Sequence, residues 1–182
     1  MIEKKYGTLD IAVNNAGIAG YSSRLEDTPE QILFSEFDSI INNLYGNVIT
    51  LREEIKHFKK FNKSGSIVNI SSIAGLKSCP GCSLYSASKY GIIGLTKLVA
   101  VENIKNPYIR VNAVAPGLVD TNLGRSSFNA MYTARSQFLD FECFSKNDQY
   151  WLQNKEKYTS GLLSGIVIEP QEIANIVLYL SR

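Results

Sequence analysis

The chain has 182 residues, 45% of them hydrophobic and 20% charged, and a formal net charge of +2. This length and composition predict one globular domain with a sizeable core. The small net charge argues against a nucleic-acid partner, and no apolar run reaches the roughly 18 residues that a membrane span needs. Three cysteines, in a sequence without the apolar core of a signal peptide, indicate a reducing, cytoplasmic compartment.

Strand and helix patterns alternate along the chain. Short apolar runs predict three strands, at Leu9–Val13, Gly65–Ser71 and Tyr108–Ala115. Helical patterns run from Thr28 to about Phe61 with a break near Ser35, from Ser83 to about Lys105, and from Pro170 onward. The stretch "TPEQ" predicts that Thr28 is the N-cap of the first long helix. The alternation indicates βαβ units around a parallel sheet.

In sheets of this kind, ligands bind beyond the carboxyl ends of the strands. The segments that follow the three predicted strands are Asn14–Gly17, Ser71–Ser72 and Pro116–Thr121. We therefore expect these segments to converge on one crevice.

Tyr85 and Lys89 form the pair with the clearest chemistry. They are four residues apart in a predicted helix, so their side chains share one face. A free phenol has a pKa near 10, and a neighbouring ammonium group is expected to lower it enough for proton exchange with an alcohol or carbonyl. Tyr90 points about 100° away from Lys89 and is the weaker candidate. By itself, a Y-x-x-x-K spacing is also compatible with an ordinary surface pair.

Two further polar residues lie at informative positions. Ser72 follows the second strand, thirteen residues before Tyr85, where its hydroxyl could hold a substrate oxygen or simply cap a turn. Asn43 lies inside a long helix, where asparagine is unfavourable unless its amide has a partner.

Six motifs in order resemble the short-chain dehydrogenase/reductase family: "LDIAVNNAG", "NNLYGNV", "GSIVNISSIAG", "YSASK", "IRVNAVAPGLVDT" and "PQEIANIVLYL". The resemblance implies a doubly wound parallel Rossmann-type sheet with helices on both faces. It also implies an oxidoreductase that uses NAD or NADP to interconvert a secondary alcohol and a carbonyl. A small-molecule substrate and a homodimer or homotetramer belong to the same expectation.

The family's residue roles transfer onto matching positions. Tyr85 would be the acid/base, Lys89 would lower its pKa and bind the nicotinamide ribose, Ser72 would hold the substrate oxygen, and Asn43 would anchor a water of the proton relay. The resemblance also implies a set of cofactor-binding residues, to which Tyr85 and Lys89 belong as well. These residues are Asn14, Ala16, Gly17, Tyr85, Lys89, Pro116, Gly117, Val119 and Thr121. No metal site is expected.

The sequence also departs from the family pattern. It has no glycine-rich G-x-G-x-x-G-like turn, which in this family seats the cofactor pyrophosphate, and it ends before the family's last strand. We therefore expect one partial domain, residues 1–182, that lacks the first βαβ units and binds a nicotinamide cofactor weakly, if at all, as an isolated chain. The predicted strand at Leu9–Val13 would then have an unpaired edge.

Residues 122–168 occupy the place where the family has its substrate-covering segment. This stretch is rich in aromatic residues, namely Phe128, Tyr132, Phe138, Phe141, Phe144, Tyr150, Trp151 and Tyr158. A lipophilic substrate would suit such a cover, although the same residues could equally pack the segment onto the core.

Two other interpretations stay open at this point. The chain could be a non-catalytic member of the family that retains the oligomerising helices, here assigned to Ser35–Phe61 and Ser83–Lys105. More remotely, the C-x-x-C sequence at Cys79–Cys82 directly precedes a helix, where a thiolate is favoured, as in thiol–disulfide oxidoreductases. The single histidine, His57, is expected to be solvated on a basic helix face.

Overall fold

The structure is a computed structural model and describes residues 2–77, 79–105, 107–127 and 167–182. Three strands in these ranges form one parallel sheet in the order β1-β2-β3. They are β1 (Ile11–Asn14), β2 (Gly65–Ile70) and β3 (Ile109–Val114). In the register, Ala12 lies beside Ile67, which lies beside Val111. The predicted parallel α/β sheet is confirmed, and each predicted strand is found with its bounds shifted by no more than two residues.

Helices cover both faces of this sheet. They are α1 (Ile2–Tyr6), α2 (Glu30–Lys60), α3 (Ser83–Glu102) and α4 (Pro170–Ser181), and residues 122–127 are also helical. Helices α2 and α3 pack side by side on one face. On the other face, the Ser66 hydroxyl and the Arg110 guanidinium donate to the Leu180 carbonyl of α4, at 2.9 and 2.7 Å. Both contacts fix α4 across β2 and β3.

The core lies between the sheet and the α2/α3 layer. Its buried members are Ala12, Leu51, Phe58, Ile67, Val99, Ile109 and Val111. Inward-facing residues alternate with outward-facing ones along each strand, as expected for a sheet with a helix layer on each side. Phe58 is completely buried, and its ring occupies the space where a Cβ on Gly65 would lie. A glycine therefore begins β2 because α2 packs directly over that position.

Helix α2 differs from its sequence prediction in two ways. It runs unbroken from Glu30 to Lys60, so the predicted break near Ser35 is wrong. Its N-cap is Pro29 rather than Thr28, with no side-chain cap. The Thr28 hydroxyl donates instead to the Arg24 carbonyl at 2.9 Å, inside the turn that precedes the helix. That local bond removes the hydroxyl from the helix terminus.

The expectation that His57 is solvated is also wrong. Its Nε2 accepts a hydrogen bond from the Leu9 backbone N–H at 3.0 Å, and its ring packs against Phe58 and Phe61. The histidine therefore ties the end of α2 to the chain just before β1. Strand β1 lies at an edge of the described sheet, where Ile11 and Val13 stay 45% and 47% exposed.

Candidate active site

The segments after the three strands lie at one end of the sheet. The Ile73 N–H, just after β2, donates to the Pro116 carbonyl after β3 at 2.8 Å. On the other side of β2, a Cβ on Gly17 would lie 3.5 Å from Lys89 Nζ. The loop after β1 therefore approaches α3 from one side while the loop after β3 contacts the end of β2. This arrangement agrees with the convergence predicted from the sequence.

Tyr85 lies in the first turn of α3, beside Ser72. The Ser72 hydroxyl also accepts from the Ala74 N–H at 3.2 Å, which places it at the start of a short 3-10 turn, Ile73–Gly75. Burial raises the pKa of the Tyr85 phenol, a hydrogen bond with Ser72 opposes this rise, and the nearby Cys82 and Cys79 add to it. The phenol is thus held in its protonated form next to the hydroxyl.

Lys89 is buried one turn farther along α3. Its Nζ donates to the Ile70 carbonyl at the end of β2, at 3.0 Å, and lies 5.6 Å from the centroid of the Tyr85 ring. Burial lowers the pKa of this ammonium group to about 8. The pKa of Tyr85 is raised overall, because desolvation dominates both groups and shifts both toward their neutral forms. That Lys89 lowers the pKa of Tyr85 stays a prediction.

Two small residues set how closely α3 approaches the sheet. The Ser71 hydroxyl donates to the Lys89 carbonyl at 2.8 Å, and a Cβ on Gly75 would lie 2.7 Å from that same carbonyl oxygen. The "SSIAG" stretch contains both residues, but no sequence pattern assigns them a role. Their contact is between parts of the chain that only the fold brings together.

Asn43 holds the loop after β1. Its Oδ1 accepts from the Ile18 N–H at 2.9 Å, and its Nδ2 donates to the Ile18 carbonyl at 2.8 Å. This explains how a buried asparagine is accommodated inside α2. The role of Asn43 in a water-mediated proton relay stays a prediction, because both ends of the amide are already bonded to Ile18 here.

A concave surface that encloses a volume of about 510 Å³ lies between that loop and α2. It is lined by Asn14, Ala16, Gly17, Asn43, Gly46 and Thr50, among others. A Cβ on Gly17 would lie 3.4 Å from Asn43 Oδ1, so a larger residue would crowd the amide and the lysine together. Gly17 therefore lines this concave surface and is also the loop residue that approaches Lys89.

Asn14 belongs to a polar network that crosses the sheet. Its Nδ2 donates to Asn69 Oδ1 at 2.9 Å and to Glu54 Oε2 at 3.1 Å. Asn69, fully buried, donates in turn to Thr96 Oγ1 of α3 at 2.9 Å. Burial raises the pKa of Glu54, and the bond from Asn14 opposes this. The family resemblance placed Asn14 in the cofactor-binding set, whereas Asn69, Glu54 and Thr96 were not predicted from the sequence.

The segment after β3 is held by the strand-like stretch before α4. Val119 bridges to Ile168, and Ile168 donates to the Leu118 carbonyl at 2.8 Å. The Thr121 hydroxyl accepts from the Gly124 N–H at 3.1 Å, so it caps the helical residues that follow. Gly117 faces Ile168, whose Cδ1 would lie 3.7 Å from an added Cβ. Most of the aromatic-rich segment 122–168, from Phe128 to 166, lies outside the described residues.

Within the described ranges, no group of three histidine, cysteine or acidic residues is placed to hold a metal ion. No helix in those ranges has the length and apolar character needed to cross a membrane.

Similar curated proteins come from several bacteria. The chain is 35% identical to a 3beta-hydroxysteroid dehydrogenase of Mediterraneibacter gnavus, over 98% of this chain and 62% of that protein. It is 33% identical to the 3-oxoacyl-[acyl-carrier-protein] reductase FabG of Chlamydia trachomatis, over 97% of this chain and 60% of that protein. It is 32% identical to a diacetyl reductase ((S)-acetoin forming) of Staphylococcus aureus, over 97% and 62%.

Solved structures show the same architecture. Levodione reductase superposes with a TM-score of 0.76 at 25% identity, covering 99% of this chain and 62% of that one. ElxO with NADP bound superposes with a TM-score of 0.70 at 29% identity, covering 100% and 63%. NAD+-bound xylitol dehydrogenase, at 24% identity, shares the fold with a TM-score of 0.77, covering 100% and 65%. The Rossmann-type fold expected from the motifs is confirmed.

The chain spans about three-fifths of the length of the curated relatives that it matches, 60 to 62%. The family model described as short chain dehydrogenase matches residues 1–131. This match covers most of the chain and includes Asn43, Ser72, Tyr85 and Lys89. The chain belongs to the short-chain dehydrogenase family.

Proposed function

We propose that this chain contributes the proton-transfer half of an NAD(P)-dependent oxidoreductase that interconverts a secondary alcohol and a carbonyl. The observation that supports this most directly is the proximity of Tyr85 to both Ser72 and Lys89. Ser72 lies near enough to oppose the rise in the pKa of the phenol, and Lys89 Nζ lies 5.6 Å from the centroid of the Tyr85 ring. An acid, a hydroxyl and a cation thus lie close together near the carboxyl end of β2.

Each of the three side chains has a separate role in the proposed reaction. Ser72 donates a hydrogen bond to the substrate oxygen and fixes its position. Tyr85 gives its proton to that oxygen during reduction, or accepts it during alcohol oxidation. Lys89, four residues along the same helix face, stabilises the phenolate that is left and so offsets part of the desolvation that raises the pKa of Tyr85. Asn43 keeps the loop after β1 close to Lys89 through its two bonds to Ile18.

The described residues fit the nicotinamide end of NAD or NADP. Only one of the three ammonium donors of Lys89 is used by the Ile70 carbonyl, so the others can bind ribose hydroxyls. Backbone at Ala16 and Gly17 lines the adjacent concave surface. Asn14, Pro116, Gly117, Val119 and Thr121 complete the proposed set. When bound, the cofactor supplies or accepts the hydride. NAD and NADP both stay in the proposal, because the solved relatives include both.

We propose a lipophilic alcohol or ketone as substrate. The relatives are named for a hydroxysteroid, an oxoacyl thioester and diacetyl, which share a carbonyl or secondary alcohol and differ in size. The eight aromatic residues in the proposed substrate-covering segment, 122–168, favour the larger, apolar members of this set. A steroid or long-chain oxoacyl compound is therefore the first choice for assay.

The test compares two tyrosines on one helix. The native protein and each variant are assayed with cofactor at millimolar concentration. Tyr85→Phe should lower kcat by roughly 10²- to 10⁴-fold, the usual contribution of a general acid. Tyr90→Phe should retain activity, because Tyr90 is 48% exposed and one residue beyond Lys89. Hydride transfer is followed by nicotinamide absorbance. Equal activity in the two variants would refute the role of Tyr85.

A second candidate function is a non-catalytic, oligomerising member of the family. It is favoured by an exposed apolar stripe on α3, formed by Tyr90, Leu98 and Val101. These side chains are 48%, 58% and 73% exposed. An apolar face of this kind is typical of an interface. We infer that a second copy of the chain covers it, in the catalytic and the non-catalytic case alike.

A further inference from the structure

Residues Cys79–Cys82 form a tight turn at the entrance to α3. The Cys82 N–H donates to the Cys79 carbonyl at 3.1 Å, which closes the turn. Pro80 occupies the second position, and Gly81 has a φ of 84° at the third. Proline followed by a glycine of positive φ is the pattern of a type II turn. The backbone of "CPGC" is therefore the type II turn that a Pro-Gly pair favours.

This turn brings the two cysteines to a distance that a disulfide can bridge. The first and last Cα atoms of a β-turn lie within about 7 Å, and disulfides span roughly 4.4–6.8 Å. Both side chains are thiols, Cys79 half-buried and Cys82 buried. A reagent in solution thus reacts first with Cys79, and the more buried Cys82 is the second thiol to react.

Neighbouring segments hold the turn in place. The Ser23 N–H donates to the Gly81 carbonyl at 3.0 Å, and the Ser22 hydroxyl lies 3.9 Å from the Cys82 sulfur. Cys82 is also the N-cap of α3, and its carbonyl accepts from the Ser86 N–H at 2.8 Å. The turn therefore keeps its shape between the loop after β1 and the helix that contains Tyr85.

We propose that Cys79 and Cys82 are a reversible modification site, at which a low-molecular-weight disulfide converts the two thiols into an intraloop disulfide. The Cys79 thiolate attacks one sulfur of the small disulfide, forms a mixed disulfide and releases one small thiol. The Cys82 thiolate then attacks the Cys79 sulfur and releases the second small thiol. The two protein thiols are oxidised and one small disulfide is reduced to two thiols, because the two protons lost by Cys79 and Cys82 are taken up by the departing small thiolates.

Oxidation at this site changes the surroundings of Tyr85. Gly81, Ser23 and Tyr85 line the same small cavity of about 20 Å³. Charge on Cys82 and Cys79 contributes to the raised pKa of the Tyr85 phenol. A disulfide cannot ionise, so the pKa of Tyr85 should be lower in the oxidised protein than in the reduced protein. The turn thereby links thiol redox state to the proposed acid/base.

The test uses a Cys143→Ser background, so that only the turn supplies thiols. The protein is equilibrated with mixtures of reduced and oxidised glutathione, and intact mass and thiol content are measured. Loss of both thiols with a mass decrease of two hydrogen atoms, absent in Cys79→Ser and Cys82→Ser, is the expected result. Serine is a favoured N-cap, so Cys82→Ser should still fold.

A persistent mixed disulfide on either cysteine, or unchanged thiols under fully oxidising conditions, would overturn the proposal. Neither readout requires turnover, so a failure here is distinct from a failure of the proposed enzyme activity. A second measurement follows the ultraviolet titration of tyrosinate in the oxidised and reduced forms, with Tyr85→Phe subtracted. The Tyr85 transition should move to lower pH on oxidation, and movement to higher pH would contradict the link to Tyr85.

Discussion

Lys89 is a buried cation whose ammonium group donates a hydrogen bond to the Ile70 carbonyl. It is 5% exposed, and burial moves its pKa from an ordinary 10.5 to about 8. Between these pH values the unfolded chain binds more protons than the folded one, so stability must rise with pH. We predict that the free energy of unfolding of the native chain, relative to Lys89→Met, increases by up to about 3 kcal/mol from pH 8 to 10.5.

The measurement is urea unfolding of both proteins across that range. Tyr85 titrates above its ordinary value in the native chain and contributes the opposite slope only above about pH 10, so the slope assigned to Lys89 is read below that pH. Lys97→Met, which removes an exposed lysine from the same helix, is the matched control for the substitution itself. A difference between native chain and Lys89→Met that stays flat with pH would show that Lys89 is solvated when folded.

At this scale the sequence was informative about spacing and uninformative about environment. The four-residue interval predicted that Tyr85, not Tyr90, accompanies Lys89, and the structure leaves Tyr90 half exposed. The direction of the Tyr85 pKa shift could not be predicted, because it depends on burial by segments distant in sequence. A pairwise rule for a phenol and an ammonium omits that desolvation.

At the scale of elements, glycines show where helices approach strands. The Phe58 ring of α2 fills the space beside Gly65, whereas Gly94 of α3 has nothing within 4 Å of an added Cβ. Gly65→Ala should therefore destabilise the protein by about 1–3 kcal/mol through overpacking. In the separated protomer, where the exposed stripe of α3 that also contains Gly94 is uncovered, Gly94→Ala should stabilise the protein by about 0.5–1 kcal/mol. Denaturant midpoints at constant m-value measure both effects.

The opposite signs make this pair informative. If Gly65→Ala proved neutral, the contact between α2 and β2 would have to be looser than the structure shows.

The polar network from Glu54 through Asn14 and Asn69 to Thr96 also joins separate elements. Helix and strand positions could be predicted from periodicity, but such contacts across elements could not, because each joins residues at least 27 positions apart.

At the scale of the whole molecule, the alternating pattern and six ordered motifs were enough to predict the fold class and the family. What they could not predict is which surface of the folded chain stays apolar. The stripe of Tyr90, Leu98 and Val101 is visible only once α3 is known to pack against the sheet and α2. These positions lie within about 80° of one another around the helix, so they form one continuous face.

If a second copy covers this stripe, charges placed there should separate the copies. We predict that the double variant Leu98→Glu with Val101→Glu halves the mass measured by light scattering, because two carboxylates would be buried without partners. Leu25→Glu, at an apolar position 55% exposed and outside α3, is the control and should keep the native mass. Circular dichroism establishes that each variant is folded. A double variant with the native mass would place the interface elsewhere on the molecule.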